Sequence, residues 1–438
     1  MRLATICLFL ASSLSWATAP APLSPPAEMN LAQFIDRSLS ANPDTRAAWQ
    51  RSRSQIERVG IARSAYYPTL DASASIGESF GDSALPGADP QTRLALSSQW
   101  LLWDFGGRRA NLDSTQQTLA ALQANQDRLS QLVALNAVQS WFNHLSAGAR
   151  VTAAASSLQA AEETAKAARQ RQQIGVATRE DELQAETALA QARLILIQRE
   201  GELAASAGQL AIVAGYPADT VIRLDFREQE LDLLRQQASA QPPQLSQLMT
   251  LAQTRRPDLI AQQRRLDASQ SELDRIAAQA RPSLTLSATT ASDRNELSQR
   301  DGGQLALTAT LPLFTGFQQR HLNALAASQR TEQDIELTRI QQQVSLDVWL
   351  AWQQLNTARA RIDATDSLLT AATESNRAAL ARYRAGLGNL LNVLTAQSNL
   401  AEAQQQHATA RFDFASARLS LAQASGLLVR DATLEMHP

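Results

Sequence analysis

The chain has 438 residues, a formal net charge of −2 at pH 7 and a single cysteine, Cys7. Its length is sufficient for one large core or two structural units, and the nearly balanced charge provides no global field that would attract nucleic acid. One cysteine cannot form a disulfide within a chain, so we expect the fold to be stabilised by packing and assembly.

Residues 1–17 predict a secretory signal peptide. A positive charge precedes a short apolar run, and residues 15–17 form a small-x-small cleavage site with Thr18 as the first mature residue. Residues 17–19 offer an alternative site. Because Cys7 lies inside the apolar run, we expect a mature chain without an N-terminal lipid anchor. No later stretch has 18 consecutive apolar residues, so we expect no transmembrane helix.

Two copies of one plan follow, offset by 214 residues. Each copy contains two prolines 25 residues apart, at Pro43 and Pro68 and again at Pro257 and Pro282. The segment between each pair is predicted to be helical. A repeat at a fixed offset indicates a duplicated structural unit.

Short stretches of alternating apolar and polar residues follow the second proline of each copy. This alternation, interrupted by turn residues, predicts a β-hairpin at about 66–103 and another at about 283–314. The predicted hairpin loops are the Gly/Pro/Asp-rich segment 81–90 and the polar segment 291–303. Each chain is therefore expected to supply four strands.

Both hairpins end in an aromatic-glycine element, where a strand turns into a helix. Glycine permits the positive φ that such a turn often needs. The aromatic residues at these ends form either an interfacial girdle or ordinary core packing, and the sequence favours neither. They are Trp100, Trp103, Phe105, Phe314 and Phe317.

Two very long helices are predicted after the hairpins. Residues 108–174 contain no proline and one glycine, and residues 317–385 contain neither. About 67 residues at about 1.5 Å each make a rod of about 100 Å, which requires partners along its whole length. Each rod is expected to turn back into a return helix that ends near residue 214 or residue 425.

The second rod carries a predicted coiled-coil seam. Its residues alternate at spacings of four and three from Val344 to Ala372, with large and small side chains at alternate positions. A helix with apolar residues off its seam is expected to pack on two sides, as in a barrel of many helices. The residues off the seam are Leu346, Trp349, Leu350 and Trp352.

The two helical hairpins turn at equivalent positions, 211 residues apart. Gly175 and Gly386 stand where a helix C-terminus favours a left-handed residue. Thr178 and Asn389 are predicted N-caps of the return helices. Asp181 falls at the third position of its helix, as in a capping box.

These elements divide the chain into a signal peptide and two repeats. A short helix is expected near residues 227–236, and each return helix is expected to stack end to end with a short helix near 44–64 or 258–280. The predicted divisions are the signal peptide 1–17, the first repeat 18–240 with its helical hairpin 107–213 and equatorial segment 214–240, and the second repeat 241–438 with its helical hairpin 317–425 and a C-terminal tail.

The order and spacing of these features resemble the TolC family of outer-membrane efflux proteins along essentially the whole mature chain. The resemblance implies a mainly α fold with a small β-barrel part. Long helical hairpins of a homotrimer would form a periplasmic α-barrel, and four strands per subunit would contribute to a shared twelve-strand transmembrane β-barrel. It also implies a Gram-negative outer-membrane location with a periplasmic extension, contact with lipid, and a periplasmic adaptor that links the duct to an inner-membrane RND or ABC transporter.

The resemblance implies a gate at the periplasmic entrance, held shut by polar contacts and an acidic ring. The matching positions are Asp181, Tyr383, Gly388, Asn392 and Thr395. Gly388 stands where an arginine is expected, and Asn392 and Thr395 stand where aspartates are expected. We therefore expect no charged latch of the usual kind and a weaker cation site. Simple capping by Asp181 and helix packing by Tyr383 are the alternative roles.

Other residues near the tips extend this hypothesis. Adaptor contact is expected at Gly175, Val176, Gly386 and Leu387. Different gate pairs are available from four charged residues, namely Arg179, Glu180, Arg382 and Arg384.

The function implied is a passive conduit for multidrug or small-molecule efflux. One alternative is the outer-membrane duct of a type I protein secretion system. A pore-free periplasmic coiled-coil scaffold is less favoured, because a scaffold has no use for four strands per chain. No Ser/His/Asp, Cys/His or phosphate-loop constellation stands out, and the four histidines lack metal-ligand spacing. We therefore expect no enzymatic activity, metal or cofactor.

Overall fold

The computed structural model describes residues 28–79, 89–226, 244–294 and 298–427. The signal peptide, most of the first hairpin loop, the short helix predicted near 227–236 and the C-terminal tail lie outside these residues. The helices are α1 (Leu31–Ala41), α2 (Pro43–Ser64), α3 (Gly107–Gln173), α4 (Arg179–Val213), α5 (Leu245–Arg255), α6 (Pro257–Ala278), α7 (Gln318–Arg384) and α8 (Leu390–Ala424). The strands are β1 (Thr69–Ser79), β2 (Asp89–Trp103), β3 (Ser283–Arg294) and β4 (Gln299–Thr310).

The two predicted rods are confirmed, since α3 and α7 each have 67 residues and end within one residue of the predicted limits. Long helices need neighbours, and the contacts of α3 and α7 supply them. Helix α3 packs against α2 and α4 on one side and against α6 and α8 on the other, and α7 packs against α6 and α8. None of the helices in the described residues is apolar over a stretch long enough to cross a membrane.

The short and return helices stack end to end, as predicted. Helix α4 ends at Gly215, where an added Cβ would lie 2.4 Å from the Cβ of Ala41, at the end of α1. Helix α8 ends at Gly426, where an added Cβ would lie 3.1 Å from the Cβ of Arg255, at the end of α5. Each joint therefore requires glycine, and α4 continues towards α2 as α8 continues towards α6.

Helices α1 and α5 are features that the sequence patterns did not predict. Each has 11 residues and directly precedes a proline-started helix. Helix α1 begins with a capping box in which Asn30 and Gln33 exchange side-chain and backbone hydrogen bonds. Eleven residues give too few turns for a strong periodic signal, so the capping residues carried most of the available information.

All four strands form one antiparallel sheet in the order β1-β2-β3-β4. Strands β2 and β3 come from different repeats and pair from Thr92↔Arg294 to Trp103↔Leu284. The polar loop predicted at 291–303 is wrong, because β3 continues to Arg294 and β4 begins at Gln299. Backbone pairing does not require apolar side chains, so a polar stretch can extend a strand.

The last part of the second hairpin also differs from the prediction. Strand β4 ends at Thr310, so Leu311 and Leu313, which continue the alternating pattern, lie beyond it. Both leucines are exposed, which the alternating pattern alone could not predict. The outer strands β1 and β4 each have one neighbour within the described sheet.

Three apolar clusters lie along the length of the helices. The first surrounds Trp141 and Phe34, and the third lies near the helical tips. The second contains the predicted seam of α7 from Val344 to Ile362. The seam continues beyond this cluster, with Thr365 and Ala372 buried and Leu369 partly exposed. Off the seam, Trp352 packs against this cluster, whereas about half of the surface of Leu346, Trp349 and Leu350 is exposed within one chain.

Candidate functional site at the helical hairpin tips

The first tip joins α3 to α4 through a glycine turn. Gly175 has a φ of 78°, and the N–H groups of Gly175 and Val176 donate to the carbonyls of Gln172 and Arg171, both at 2.9 Å. This pair of bonds satisfies carbonyls at the end of α3. Helix α4 then begins at the N-cap Thr178.

The second tip repeats this geometry between α7 and α8. Gly386 has a φ of 75°, and the N–H of Leu387 donates to the carbonyl of Arg382 at 2.9 Å. Asn389 caps α8 by accepting a bond from the N–H of Asn392 at 3.0 Å. The predicted turns and caps are therefore confirmed at both tips.

The predicted adaptor-contact residues all lie on the surface of these turns. Val176 is 59% exposed and Leu387 is 74% exposed, while the adjacent glycines are exposed as well. Each turn thus presents an exposed apolar side chain beside a bare backbone, and the first turn adds Ile174, which is 73% exposed. Contact of Gly175, Val176, Gly386 and Leu387 with an adaptor stays a prediction.

Tyr383 lies between the two tips, in the third apolar cluster. Its ring is 7% exposed, and burial raises the pKa of its hydroxyl, with the charge of Asp181 acting in the same direction and that of Arg171 in the opposite direction. Arg171 donates from Nη1 to the Tyr383 carbonyl at 2.9 Å and places its guanidinium carbon 4.7 Å from the ring centroid. The other buried members of the cluster are Ala165, Ala168, Ala185, Leu390 and Val393.

Asp181 completes a capping box at the start of α4. Its Oδ2 accepts bonds from the backbone N–H and the hydroxyl of Thr178, at 3.0 and 2.8 Å. The Tyr383 hydroxyl has no hydrogen-bond partner in the described residues. The capping role of Asp181 is confirmed, whereas the gate role proposed for Asp181 and Tyr383 stays a prediction.

The sequence did not indicate which charged residues pair at the first tip. Arg179 pairs with Glu182, while Glu180 accepts a bond from Gln184 at 3.2 Å. Glu182 is 5% exposed and also lies 3.5 Å from Arg169. Sequence reasoning missed Glu182, because three consecutive acidic residues at a helix start look equivalent until the neighbouring helix is placed. Arg382 and Arg384 are exposed at the second tip.

The remaining gate positions are uncharged, as the sequence shows. An added Cβ at Gly388 would lie 3.3 Å from the Tyr383 backbone nitrogen, so this residue packs closely on the end of α7. Asn392 and Thr395 are exposed on α8, one turn apart, next to the buried Val393. This arrangement places two neutral hydrogen-bonding side chains on one face of α8. That this face lines a pore stays a prediction.

A groove of about 1170 Å³ runs from the tips between α3, α4 and α8. Amide, hydroxyl and alanine side chains line most of it, including Gln184, Thr187 and Gln397. Towards its far end, Arg199 binds Glu202 at 2.7 Å and Gln405 at 3.1 Å. The groove walls therefore mix polar and apolar side chains and have no excess of one charge.

The aromatic residues at the strand–helix junctions are exposed within the chain. Trp103 and Phe105 form an edge-to-face pair at 6.0 Å, and Phe314 and Phe317 form another at 5.5 Å. Their exposed fractions run from 44% for Phe105 to 75% for Phe314, so they do not belong to a core of one chain. Packing in the chain core is therefore not their role.

Comparisons with known proteins agree with this geometry. The sequence model of the family described as "Outer membrane efflux protein" matches residues 34–216 and 248–427. Protein CyaE of Bordetella pertussis is 30% identical over 408 residues, which are 89% of this chain and 82% of that protein. Outer membrane efflux protein BepC of Brucella suis is 24% identical over 357 residues, which are 79% of this chain and 74% of that protein.

Solved structures are similar in fold as well. The outer membrane protein VceC from Vibrio cholerae superimposes with a TM-score of 0.77 at 22% identity, covering 90% of this chain and 96% of that one. The mainly helical fold with its small sheet, expected from the resemblance to the TolC family, is confirmed. Members of this family work with an adaptor and an inner-membrane transporter in tripartite systems. The chain belongs to the outer membrane efflux protein family and is an outer-membrane channel subunit of a tripartite efflux system.

Proposed function

We propose that three copies of this chain close into one duct for small-molecule efflux. The main observation behind this proposal is that the sheet and the layer of helices have their outer edges on the same two sides of the chain. Strand β1 follows α2 at one end of both layers, and β4 precedes α7 at the other. A head-to-tail contact between these two ends generates a ring when the rotation closes. Three copies give a twelve-strand barrel.

The apolar surface of the two open ends supports this closure. On α7, Trp349 and Leu350 are exposed, and on α2, Trp49 and Ile56 are exposed. Rows of exposed large apolar residues on a long helix mark contacts with another molecule. The outer edges of β1 and β4 also need a neighbour, because the unpaired backbone N–H and C=O groups of a strand edge favour pairing with another strand.

Within this duct, the hairpin tips form the periplasmic entrance. Asp181, Tyr383, Gly388, Asn392 and Thr395 are the proposed gate region, with neutral side chains in place of an acidic ring. The exposed turns at Gly175, Val176, Gly386 and Leu387 are the proposed contacts of the periplasmic adaptor. The exposed aromatic pairs at the strand–helix junctions are the proposed contacts with outer-membrane lipid, where Trp and Phe rings are favoured.

Planar-bilayer conductance of the purified chain tests the duct. We expect a detergent-resistant trimer that conducts ions, and a monomer without conductance would contradict the proposal. The double variant Asn392→Asp/Thr395→Asp should increase block of the current by divalent cations, because carboxylates favour such ions. The control Thr187→Asp adds a carboxylate to α4 and should leave the block unchanged.

The transported class requires a separate experiment. Crosslinking in cells followed by identification of the captured adaptor and transporter distinguishes an RND or ABC drug pump from a type I protein secretion system. A relative named as a toluene efflux pump outer membrane protein, TtgC of Pseudomonas putida, supports the small-molecule assignment. Capture of an ABC transporter that exports a protein would favour the alternative.

A further inference from the structure

Arg171 and Arg382 hold equivalent positions in the two repeats but have different surroundings. Both stand in the last turn of a rod, 211 residues apart. Arg382 is exposed, whereas Arg171 is partly buried and reaches from the first hairpin to the second. The equivalence makes Arg382 a matched reference for any effect of Arg171.

The contact of Arg171 with the second tip uses the backbone and the ring of Tyr383. The Nη1 donor lies 2.9 Å from the carbonyl, and the guanidinium stacks over the ring at 4.7 Å. A planar guanidinium suits both contacts at once, because it donates in its plane and stacks on its face. In the described residues, the Tyr383 hydroxyl has no hydrogen-bond partner, so it contributes no bond to this contact.

Few other contacts hold the second tip to the first hairpin. Helices α4 and α8 barely touch, and α8 meets the first hairpin mainly along α3. Near the tip, the first hairpin contributes mainly alanines to the shared apolar cluster, namely Ala165, Ala168 and Ala185 beside Leu189. Gln397 of α8 also donates to the Thr164 hydroxyl at 2.8 Å, but farther from the turns, so Arg171 is the directional contact that joins the two tips themselves.

We propose that Arg171 is a positioning residue that ties the second hairpin tip to the first, through the carbonyl and ring of Tyr383 and without its hydroxyl. The consequence of this contact, which is that the entrance stays narrow, rests on the duct proposed above. When Arg171 releases Tyr383, the end of α7 and the start of α8 move away from α3.

Spin-label distances test the tie without reference to a pore. Labels at Val176→Cys and Leu387→Cys report the separation of the tips, both sites being exposed and the sequence containing one other cysteine, Cys7. We expect Arg171→Gln to broaden and lengthen this distance, while Tyr383→Phe and Arg382→Gln leave it unchanged. An unchanged distance in Arg171→Gln, or an equal change in Tyr383→Phe, would overturn the tie.

Conductance of the full chain tests the consequence for the entrance. Arg171→Gln should raise the ratio of open to closed states by about thirtyfold, the lower end of what a cation–π contact and a charged hydrogen bond contribute together. Arg171→Lys should lie between, because lysine keeps the charge and loses the planar fork. Arg382→Gln should match the unmodified chain.

The outcomes separate the tie from the duct. If Arg171→Gln lengthens the tip distance but the protein never conducts ions, the proposed contact of Arg171 with the second tip is supported and the proposed duct is contradicted. A longer tip distance with unchanged conductance in a conducting protein overturns the control of the entrance by Arg171. Equal opening by Arg382→Gln assigns the effect to a general loss of positive charge and overturns the proposal. Retained trimer bands and far-UV circular dichroism exclude misfolding.

Discussion

The two repeats share one backbone plan, but their strongest polar contacts lie at opposite ends. In the first repeat they lie at the hairpin tip, and in the second they lie at the joint between the short helix and the return helix. At the first tip, Glu182 is buried between Arg169 and Arg179. The capping box of Thr178 and Asp181 adds three hydrogen bonds to the same turn. Of these kinds of contact, the start of α8 at the second tip has only the Asn389 cap.

The joints where short and return helices meet have the reverse distribution. In the first repeat, Arg37 donates one bond to the Ala214 carbonyl at 3.2 Å. In the second, the buried Arg256 binds Asp258 at 2.6 Å and Asp347 at 3.0 Å. Burial lowers the pKa of Arg256 and the two carboxylates outweigh this, so that the pKa lies above its ordinary value.

This difference indicates how one fold provides a fixed and a movable hairpin. Duplication preserved the glycines, caps and helix lengths, which are set by backbone geometry, while the charged contacts diverged. A rod that is anchored at its joint and lightly held at its tip moves most at the tip. The first hairpin has its strong contacts at the tip, so the second hairpin is the one that we expect to move.

The largest effect should come from the joint of the second repeat. Arg256→Asn places there the residue that the first repeat has at the equivalent Asn42, and it leaves Asp258 and Asp347 without their cation. We expect a loss of about 3 kcal/mol in the free energy of unfolding, at the low end for a broken buried pair because Asp347 is partly exposed. Urea unfolding followed by circular dichroism measures it.

The matched change in the first repeat is Arg37→Ala. It removes one side-chain bond to a carbonyl and the stacking of the Arg37 guanidinium over the Tyr216 ring at 4.8 Å, so we expect a loss of about 1–2 kcal/mol. Equal losses in the two variants would contradict the assignment of the anchored joint to the second repeat.

The tip glycines should give an effect that is smaller than that of Arg256→Asn and equal in the two repeats. Gly175→Val and Gly386→Val force a β-branched residue into φ values of 78° and 75°, which costs about 1–2 kcal/mol. No atom lies within 4 Å of an added Cβ at either position, so the strain comes from the backbone alone. Thermal unfolding of both variants provides the comparison.

Export assays on the same two variants separate strain from contact. If the turns touch an adaptor, both variants should lose export beyond what their stability explains. Unimpaired export in Gly386→Val would argue against adaptor contact at the second tip. A larger stability loss at one glycine would indicate a neighbour that the isolated chain does not contain.

The long helices, their turns and their caps were predictable because their signals are local. Two glycines, two N-caps and the absence of proline determine the rods and their tips to within a residue. Strand β3 was predicted too short, because polar residues such as Asp293 and Arg294 pair through the backbone and leave no apolar pattern. The contacts of Glu182 and Arg171 were not predictable, since each depends on which residues of another helix lie opposite.

The smallest predicted effect compares His144 on the first rod with Leu355, its equivalent on the second. His144 lies 2.9 Å from the Ser206 hydroxyl, and burial lowers the pKa of its imidazole. An unfolded histidine binds a proton near pH 6.5, whereas the folded one does so only at lower pH. The folded state is therefore fully stable with respect to this group above about pH 6.5 and loses stability as the pH falls through that value towards the folded pKa.

Replacing His144 by the leucine of the second repeat should remove this acid-dependent loss. Urea midpoints of His144→Leu and the unmodified chain, measured between pH 7 and pH 5, should diverge as the pH falls. Carboxylates elsewhere titrate in both proteins, so only the difference between the two curves reports on His144. A difference that is constant with pH would mean that His144 keeps its ordinary pKa in the folded chain. The two rods would then not differ in their sensitivity to acid at the positions of His144 and Leu355.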